Sequence, residues 1–304
     1  MKKFAFLLAF APVCLAQQHV PCSTADVSGT YAFLANGSVF VPPLTGPFSR
    51  IGYFTADGFG NVNIHTLALY NGINFGNESF TGTYTVTPDC IFTLTAAVPA
   101  PIFSNGTFAG QVALGGNDIA FMLTGLTSPG APPALTDVVG YGSRRAPGYC
   151  NNESLSGSWR MDITGTTGIV PGSSPGTTYR QVGQLVADGN GGLQASFVTS
   201  SNNGTIASQT GAGTYNVNPD CTFDLTYTIS GSPYGIRGSI INGESAHIAL
   251  NMPGPSTTLP LGQGVSLPVV ITGAVATGKM VKDVPWFEAI PLQLTIPSTA
   301  PYWN

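Results

Sequence analysis

The chain of 304 residues has a formal net charge of −4, and 8% of its residues are charged, about a third of the share in typical globular proteins. Its Lys and Arg residues are too few and too scattered for the basic surface that nucleic-acid binding requires. With 39 glycines, 24 prolines and plentiful aromatic and β-branched residues, the composition is typical of an all-β protein with many turns. The length allows one large domain or two ordinary ones.

The first residues have the pattern of an export signal. Lys2 and Lys3 precede the apolar run FAFLLAFAPVCLA, which ends at the small residue Ala16. A membrane anchor is one alternative, but the run is shorter than the roughly 20 apolar residues that span a bilayer. A lipoprotein signal at Cys14 is another, and the residues before it do not suit one. We therefore predict a signal peptide at 1–16 and an extracellular protein without a membrane span.

One phrase is written twice along the chain. TYTVTPDCIFTLT begins at Thr83, and the near copy TYNVNPDCTFDLT begins at Thr214. The segment TADGFGNV recurs as VADGNGGL at the same offset along the chain. The segment around Cys22 recurs around Cys150 at nearly the same offset. A chain with two copies at so long a period contains tandem domains rather than a solenoid.

The repeat sets the predicted domain limits. The first domain is expected at 17–149 and the second at 150–280, each large enough to bury its own core. The tail 281–304, VKDVPWFEAIPLQLTIPSTAPYWN, is rich in proline and aromatic residues and falls outside the repeat. We predict a C-terminal extension that packs along the second domain; addition of LQLTI as a strand to that domain or to a partner is the alternative.

Turn residues divide each copy into eight short apolar segments with the alternation of β-strands. In the first copy the strands are predicted near 29–36, 48–56, 59–70, 79–87, 90–97, 106–114, 118–126 and 136–144. In the second they are predicted near 156–164, 178–187, 191–200, 209–217, 221–229, 235–242, 245–252 and 266–277.

The alternation indicates sheets with one buried face and one solvent-exposed face. In CTFDLTYTI the residues Phe223, Leu225 and Tyr227 fall on one side, and the threonines between them fall on the other. Eight antiparallel strands joined by short links leave two exposed edges if flat, and closure into a barrel removes both. The sequence therefore predicts two tandem eight-stranded antiparallel up-and-down barrels, with β-sandwiches as the alternative.

Four cysteines remain once the signal peptide is removed, an even number that favours disulfide bonds in an exported chain. They allow three pairings. Each repeat has one cysteine just before its first strand and another at the start of its fifth strand, so the repeat itself selects pairing within each copy. This predicts the disulfides Cys22–Cys90 and Cys150–Cys221.

Short motifs at the two ends of each repeat resemble the calycin pattern of lipocalins and avidins. In that family a Gly-x-Trp motif opens the first strand, and a basic side chain from the last strand packs over the aromatic ring. The phrases SGTY, DGxGNV and GTYTVxPDC also resemble repeats of uncharacterised exported bacterial proteins. The resemblance implies barrels with a structural cluster at one end, and it carries over no biotin-contacting residue of avidin. The matching residues are Gly29, Tyr31 and Arg144 in the first repeat, and Gly157, Trp159 and Lys279 in the second.

The sequence has no recognisable catalytic, cofactor or metal motif. It lacks a Gly-x-Ser-x-Gly elbow and a phosphate loop, and its histidines, His65 and His247 among them, lack metal-ligand spacing. The loops at Asp57 and Asp188 faintly resemble calcium loops, but each offers one carboxylate, so we predict hairpin turns. We therefore predict no cofactor, no metal and no enzymatic activity.

By analogy of fold, the sequence predicts a secreted non-catalytic binding protein with a small apolar or amphipathic ligand in a barrel cavity. One alternative is a structural or adhesive module with solid barrels that contacts an extracellular surface component. Another is a barrel enzyme such as a cyclase or isomerase. Bulky inward residues such as Tyr84, Phe92 and Phe223 favour solid barrels, whereas polar groups at a barrel mouth would favour a ligand.

Overall fold

The computed structural model describes residues 20–40, 45–98, 104–113, 115–127, 135–170, 174–201, 205–262 and 265–283. The predicted signal peptide at 1–16 and most of the predicted extension at 281–304 lie outside this part of the chain. The domain limits of the repeat therefore stay predictions at both ends of the chain. Among the described residues, no helix has the length and apolar character needed to cross a membrane.

The first repeat forms a closed barrel of eight antiparallel strands. Neighbours in sequence are neighbours in the sheet, and the first strand pairs with the eighth while the fourth pairs with the fifth. The up-and-down order follows from short links, which bring consecutive strands side by side. The strands are β1 (Ser28–Phe40), β2 (Gly46–Asp57), β3 (Asn61–Tyr70), β4 (Ile73–Val86), β5 (Ile91–Ala96), β6 (Asn105–Val112), β7 (Asp118–Thr127) and β8 (Leu135–Arg144).

The second repeat forms a second closed barrel, from β9 to β15 together with β18. The protein is thus all-β with two eight-stranded antiparallel barrels, as predicted. The strands of this part of the chain are β9 (Gly157–Val170), β10 (Ser174–Ala187), β11 (Gly192–Ser201), β12 (Thr205–Val217), β13 (Thr222–Ile229), β14 (Ser232–Asn242), β15 (Ser245–Leu250), β16 (Ser256–Gly262), β17 (Val265–Ile271) and β18 (Ala274–Lys282).

The hairpin of β16 and β17 leaves the second barrel and joins the first. Val270 and Ile271 of β17 pair with the first residues of β4, which extends the sheet of the first barrel. Gly273, with a φ of +63°, then turns the chain into β18, which closes the second barrel. The sequence predicts one strand over 266–277, whereas the structure has two strands there, β17 and β18, in different sheets. The prediction is wrong because an apolar run does not reveal which sheet its residues will join.

The core of each barrel is built by the predicted alternation. The apolar residues of β13 are each at most 2% exposed, whereas Thr226 and Thr228 between them are exposed. One residue in two therefore points into the barrel, and bulky side chains from all strands meet there. The four inward residues of β13 are Phe223, Leu225, Tyr227 and Ile229.

A disulfide bond ties the start of each repeat to the barrel that follows it. The two predicted bonds, Cys22–Cys90 and Cys150–Cys221, are both present. Each lies beside a short 3-10 helix, Thr24–Asp26 or Asn152–Leu155, that covers one end of its barrel. We call this the closed end. Residues 41–44, 99–103 and 128–134 of the first repeat lie outside the described part of the chain.

The two barrels pack against each other through side chains that point away from their own interiors. Asn36 Nδ2 donates to Thr277 Oγ1 over 3.1 Å, and Arg237 Nη1 donates to Asn77 Oδ1 over 2.5 Å. These contacts, with the shared hairpin, bury part of the face that alternation alone assigns to solvent. The apolar part of the contact consists of Leu34, Ile51, Leu67 and Leu69 from the first barrel with Ile169, Ala249 and Val275 from the second.

Candidate functional site

The interior of the first barrel contains a cavity of about 50 Å³, which we call the first-barrel cavity. One water needs about 10–15 Å³ of such space, and a cavity of about 150 Å³ holds benzene. A few non-hydrogen atoms therefore fit without change, and a ring requires side chains to move. Among the described residues of the wall, Arg50 is the one charged residue, and the others are apolar or aromatic. The rings are Phe33, Phe48, Phe54, Tyr70, Phe80, Phe92, Phe108 and Phe121.

Small residues lie on both sides of Arg50, and one of them, Ala35, lines the cavity. Arg50 of β2 lies opposite Ala35 of β1 and opposite Ala68 of β3. Directly paired residues of adjacent strands share a face of the sheet, so all three belong to one layer of the barrel interior. The two alanines are at most 3% exposed, and their short side chains leave space that a larger residue would fill.

The same layer of the second barrel is filled differently. Gln181 stands at the position of the second repeat that matches Arg50, and it lies opposite Ile163 of β9 and Thr199 of β11. Ile163 therefore takes the place of Ala35 and occupies more of the interior. The strand register at this layer is the same in the two barrels, so this difference comes from side chains and not from the backbone.

The charge of Arg50 is balanced inside the first barrel. Its Nη2 atom lies 2.5 Å from Glu78 Oε2, and the two side chains are 7% and 18% exposed. The same nitrogen donates to the hydroxyl of Tyr70 over 3.2 Å. Burial raises the pKa of Tyr70 to about 12, so this hydroxyl keeps its proton at any physiological pH.

Aromatic rings surround the guanidinium group of Arg50. Its central carbon lies 5.1 Å from the ring centroid of Phe80 and 5.9 Å from that of Phe48. Such contacts stabilise a cation that has been taken out of water. The Nε–H group is buried and has no hydrogen-bond partner within the described structure. The site therefore offers an unused donor beside an apolar cavity.

The calycin-like residues of the first repeat lie near the closed end of the barrel. Gly29 has a φ of +97°, a region that favours glycine. The Arg144 guanidinium lies 5.5 Å from the centre of the Tyr31 ring, and its Nε donates to the Tyr31 hydroxyl over 3.1 Å. That hydroxyl donates to the carbonyl of Gly116 over 2.5 Å. Burial raises the pKa of Tyr31, which keeps it a donor.

In the second repeat the basic residue over the aromatic ring is Lys282, and the prediction of Lys279 is wrong. Lys282 Nζ lies 5.7 Å from the ring centre of Trp159, which is fully buried and donates its Nε1–H to Leu155 O over 2.7 Å. Lys279 lies an odd number of positions before Lys282, so the two lysines point to opposite faces of β18, and Lys279 lies outside the barrel. Gly157, with a φ of +104°, matches Gly29.

The calycin-like residues are thus a structural cluster, and the first-barrel cavity is built from other side chains. Neither Tyr31 nor Arg144 lines the cavity. Each aromatic–cation pair seals the end at which its 3-10 helix lies. We regard them as determinants of stability and not of ligand choice.

The interior of the second barrel is occupied by large side chains. Trp159, Phe197, Phe223 and Tyr227 are each at most 1% exposed. Gln181 is fully buried next to Tyr227, but no hydrogen bond of good geometry joins its amide to that hydroxyl. Burial raises the pKa of Tyr227, so the phenol is neutral. This barrel therefore resembles a packed core with a small polar centre.

Comparison with known proteins leaves the function of this chain open. No family model matches it, and no curated protein matches it. A de novo designed fluorescence-activating β-barrel is similar over 43% of this chain and 95% of its own, with 14% identity and a TM-score of 0.27. A protein of unknown function from the DUF3598 family of Nostoc punctiforme covers 86% of this chain and 99% of its own, with 12% identity and a TM-score of 0.26. Identities and scores this low assign no function.

A second feature is the groove between the two barrels, where His247 lies. Its imidazole is 2% exposed, and neither ring nitrogen has a hydrogen-bond partner in the described structure. Lys279 and Asp118 line the same groove. Burial, and to a lesser degree the charge of Lys279, lower the pKa of His247 to about 4, so the imidazole is neutral at pH 7.

The buried imidazole predicts a loss of stability in mild acid. Between pH 6.5 and 4, a histidine of the unfolded chain takes up a proton that folded His247 does not. The unfolded state then binds more protons, so the free energy of unfolding falls as pH drops through this window, by up to about 3 kcal/mol. Urea titrations at pH 7 and 4.5 measure the fall, and we expect a smaller one for His247→Gln. An equal fall in both proteins would contradict this assignment.

The loops that faintly resemble calcium sites are hairpin turns. Asp57 Oδ1 accepts from the backbone N–H groups of Phe59 and Asn61, and Asp188 Oδ1 accepts in the same way from the two corresponding positions. A hydrogen bond from the Asn61 side chain, followed by these backbone bonds, lowers the pKa of the Asp57 carboxyl. The backbone bonds lower the pKa of the Asp188 carboxyl. In the part of the chain that the structure describes, no three His, Cys, Asp or Glu side chains form a metal-sized cluster.

The cavity residue Arg50 and its partner Glu78 are absent from the sequence-based predictions. A signal was nevertheless present in the repeat. Gln181 and Gln209 stand at the matching positions of the second copy, so the first copy has a base and an acid where the second has two neutral amides. Such a paired exchange at inward positions of nearby strands indicates a buried ion pair.

Proposed function

We propose that this protein is a secreted, non-catalytic binding protein whose first barrel holds a small, mostly apolar ligand. The observation that carries the proposal is the first-barrel cavity, whose described wall is aromatic and apolar apart from one charged residue, Arg50. Ligand sites are characteristically apolar, with a few polar groups that fix orientation. The calycin-like character of both repeats supports the proposal, because barrels of eight strands can hold one small ligand.

Secretion is supported by the two disulfide bonds. Disulfides form and persist in oxidising compartments and are rare in the cytosol. They agree with the export signal that the first residues predict. We treat the site as non-catalytic because Arg50, Glu78 and Tyr70 are engaged with one another.

A packed structural or adhesive module is the second candidate, and the second barrel favours it. Its interior layer contains Ile163 where the first barrel has Ala35. In this proposal the first barrel binds the ligand, and the second barrel is a solid scaffold that buries one side of the first barrel. If the first barrel also failed to bind apolar probes, a packed structural or adhesive module would be the better description of the whole protein.

We expect Ala35→Ile to abolish ligand binding in the first barrel. The change copies the second repeat, places three more carbon atoms next to Arg50 and fills the first-barrel cavity. Xenon dissolved in the buffer is a suitable probe, because it enters small dry apolar cavities. The ¹²⁹Xe NMR spectrum should show a bound signal with the natural protein and none with the variant.

The matched control for this experiment is Ile163→Val in the second barrel. It alters the equivalent position and should leave the bound xenon signal in place, at a cost of about 0.5–1.5 kcal/mol in stability. Absence of bound xenon from the natural protein, or its persistence in Ala35→Ile, would favour the packed module.

A further inference from the structure

We infer that the ligand of the first-barrel cavity carries a neutral oxygen acceptor, such as a ketone, aldehyde or ester carbonyl, that binds the Nε–H of Arg50. The inference rests on the proposed function and names the chemistry of the same site. It starts from the buried Nε–H group, which has no partner within the described residues although Arg50 lines the cavity.

A buried donor without an acceptor is rare in folded proteins, because it has lost its water and gained nothing in return. Both rings near the guanidinium, Phe48 and Phe80, are hydrocarbon and offer no acceptor atom. Tyr70 and Glu78 accept from Nη2 and leave Nε free. An acceptor brought by a ligand would complete the hydrogen bonding of the group.

The charge balance favours a neutral acceptor over an anion. Glu78 already neutralises Arg50 at 2.5 Å, with its own side chain 18% exposed. A ligand carboxylate at Nε would place two negative charges beside one buried cation, and one of them would have to take up a proton or leave. A carbonyl oxygen adds no charge and accepts the same hydrogen bond.

The remaining wall restricts the body of the ligand to hydrocarbon. Apart from Arg50 and the Tyr70 hydroxyl, the lining side chains within the described part of the chain are Phe, Leu, Ile, Val and Ala. A second polar group of the ligand that lay away from these two side chains would therefore be buried without a partner, which is unfavourable. The ligand class is an apolar molecule with one carbonyl, a part of which occupies the space next to Ala35.

The test uses three probes of nearly equal shape and four non-hydrogen atoms: acetone, 2-methylpropene and acetate. Each is titrated by NMR into the natural protein and into Arg50→Met/Glu78→Met, in which a buried ion pair is replaced by apolar side chains of similar length, a change that proteins often tolerate. Because 2-methylpropene is far more hydrophobic than acetone, the informative quantity is the ratio of the two dissociation constants in each protein.

We expect this ratio to shift by about tenfold or more against acetone in the variant, the size of one hydrogen bond to a charged group. Acetate should bind neither protein at pH 7. An unchanged ratio would overturn the inference while leaving the proposed function intact, and acetate binding tighter than acetone would overturn it in favour of an anion. Failure of both neutral probes to bind the natural protein would overturn both proposals.

A second measurement needs no variant and covers the case in which the double substitution does not fold. The ¹⁵Nε–¹H resonance of Arg50 in the natural protein should move on addition of acetone, as a new hydrogen bond forms at that atom. It should stay nearly unchanged on addition of 2-methylpropene. Equal responses to the two probes would count against a carbonyl at Nε.

Discussion

Glu78→Ala is expected to destabilise the first barrel by about 3–5 kcal/mol, because it leaves the Arg50 cation buried without its partner. The Arg50 side chain is 7% exposed, so little of its charge is in contact with water. Tyr70 offers one neutral acceptor, and its pKa of about 12 prevents it from supplying a negative charge. The loss should appear in urea titrations and as faster amide hydrogen exchange confined to strands β1–β8.

The control is the double variant Arg50→Met/Glu78→Met. Removing both charges also removes the cost of keeping them from water, and comparable replacements are neutral or stabilise proteins by about 1–4 kcal/mol. We expect the double variant to be much more stable than Glu78→Ala. If the single and double variants lost stability equally, the pair would be stabilising through packing alone, and the electrostatic account would be incorrect.

Loss of either disulfide bond is the other large effect. The bonds close loops with sequence separations of 68 and 71 residues. For loops of this length the chain-entropy model gives a stabilisation of about 4 kcal/mol per bond. Cys22→Ser/Cys90→Ser should lower the stability of the first barrel by roughly this amount, as measured by urea titration of the non-reduced protein.

The matched variant is Cys150→Ser/Cys221→Ser, which removes the equivalent bond of the second barrel. Trp159 is buried in that barrel, no tryptophan occurs in the first repeat, and the other two, Trp286 and Trp303, lie in the tail. In a Trp286→Phe/Trp303→Phe background, tryptophan fluorescence therefore reports on the second barrel. We expect the fluorescence transition to shift strongly in this variant and less in the other. A loss below about 1 kcal/mol in both would argue that the bonds constrain little of the unfolded chain.

Much of the fold follows from the sequence, because a period of two and frequent turn residues identify strands without tertiary information. The duplicated phrase then assigned the disulfides within each repeat. The hairpin β16–β17 could not be predicted, because pairing with Ile73 and Asn74 depends on how the two barrels dock. Alternation specifies two faces of a strand, and it does not say whether the outer face meets solvent or another barrel.

The candidate site was less accessible than the fold. The prediction that Lys279 packs over Trp159 is wrong, because Lys282 occupies that place. The two lysines are three positions apart, and an odd shift along a strand moves a side chain to the other face. Arg50 and Glu78 lie on different strands, 28 positions apart, and only the closed barrel brings them together. The cavity itself depends on the small volume of Ala35, which no motif encodes.

The central claim is that the first barrel holds a small ligand, and native mass spectrometry of the non-reduced protein tests it most directly. We predict a co-purifying mass that leaves on denaturation and is absent from Ala35→Ile; a carbonyl group in the released molecule would also agree with the role of Arg50. A clean mass of the protein alone, even after incubation with lipid and pigment extracts, would contradict the claim and favour two solid barrels.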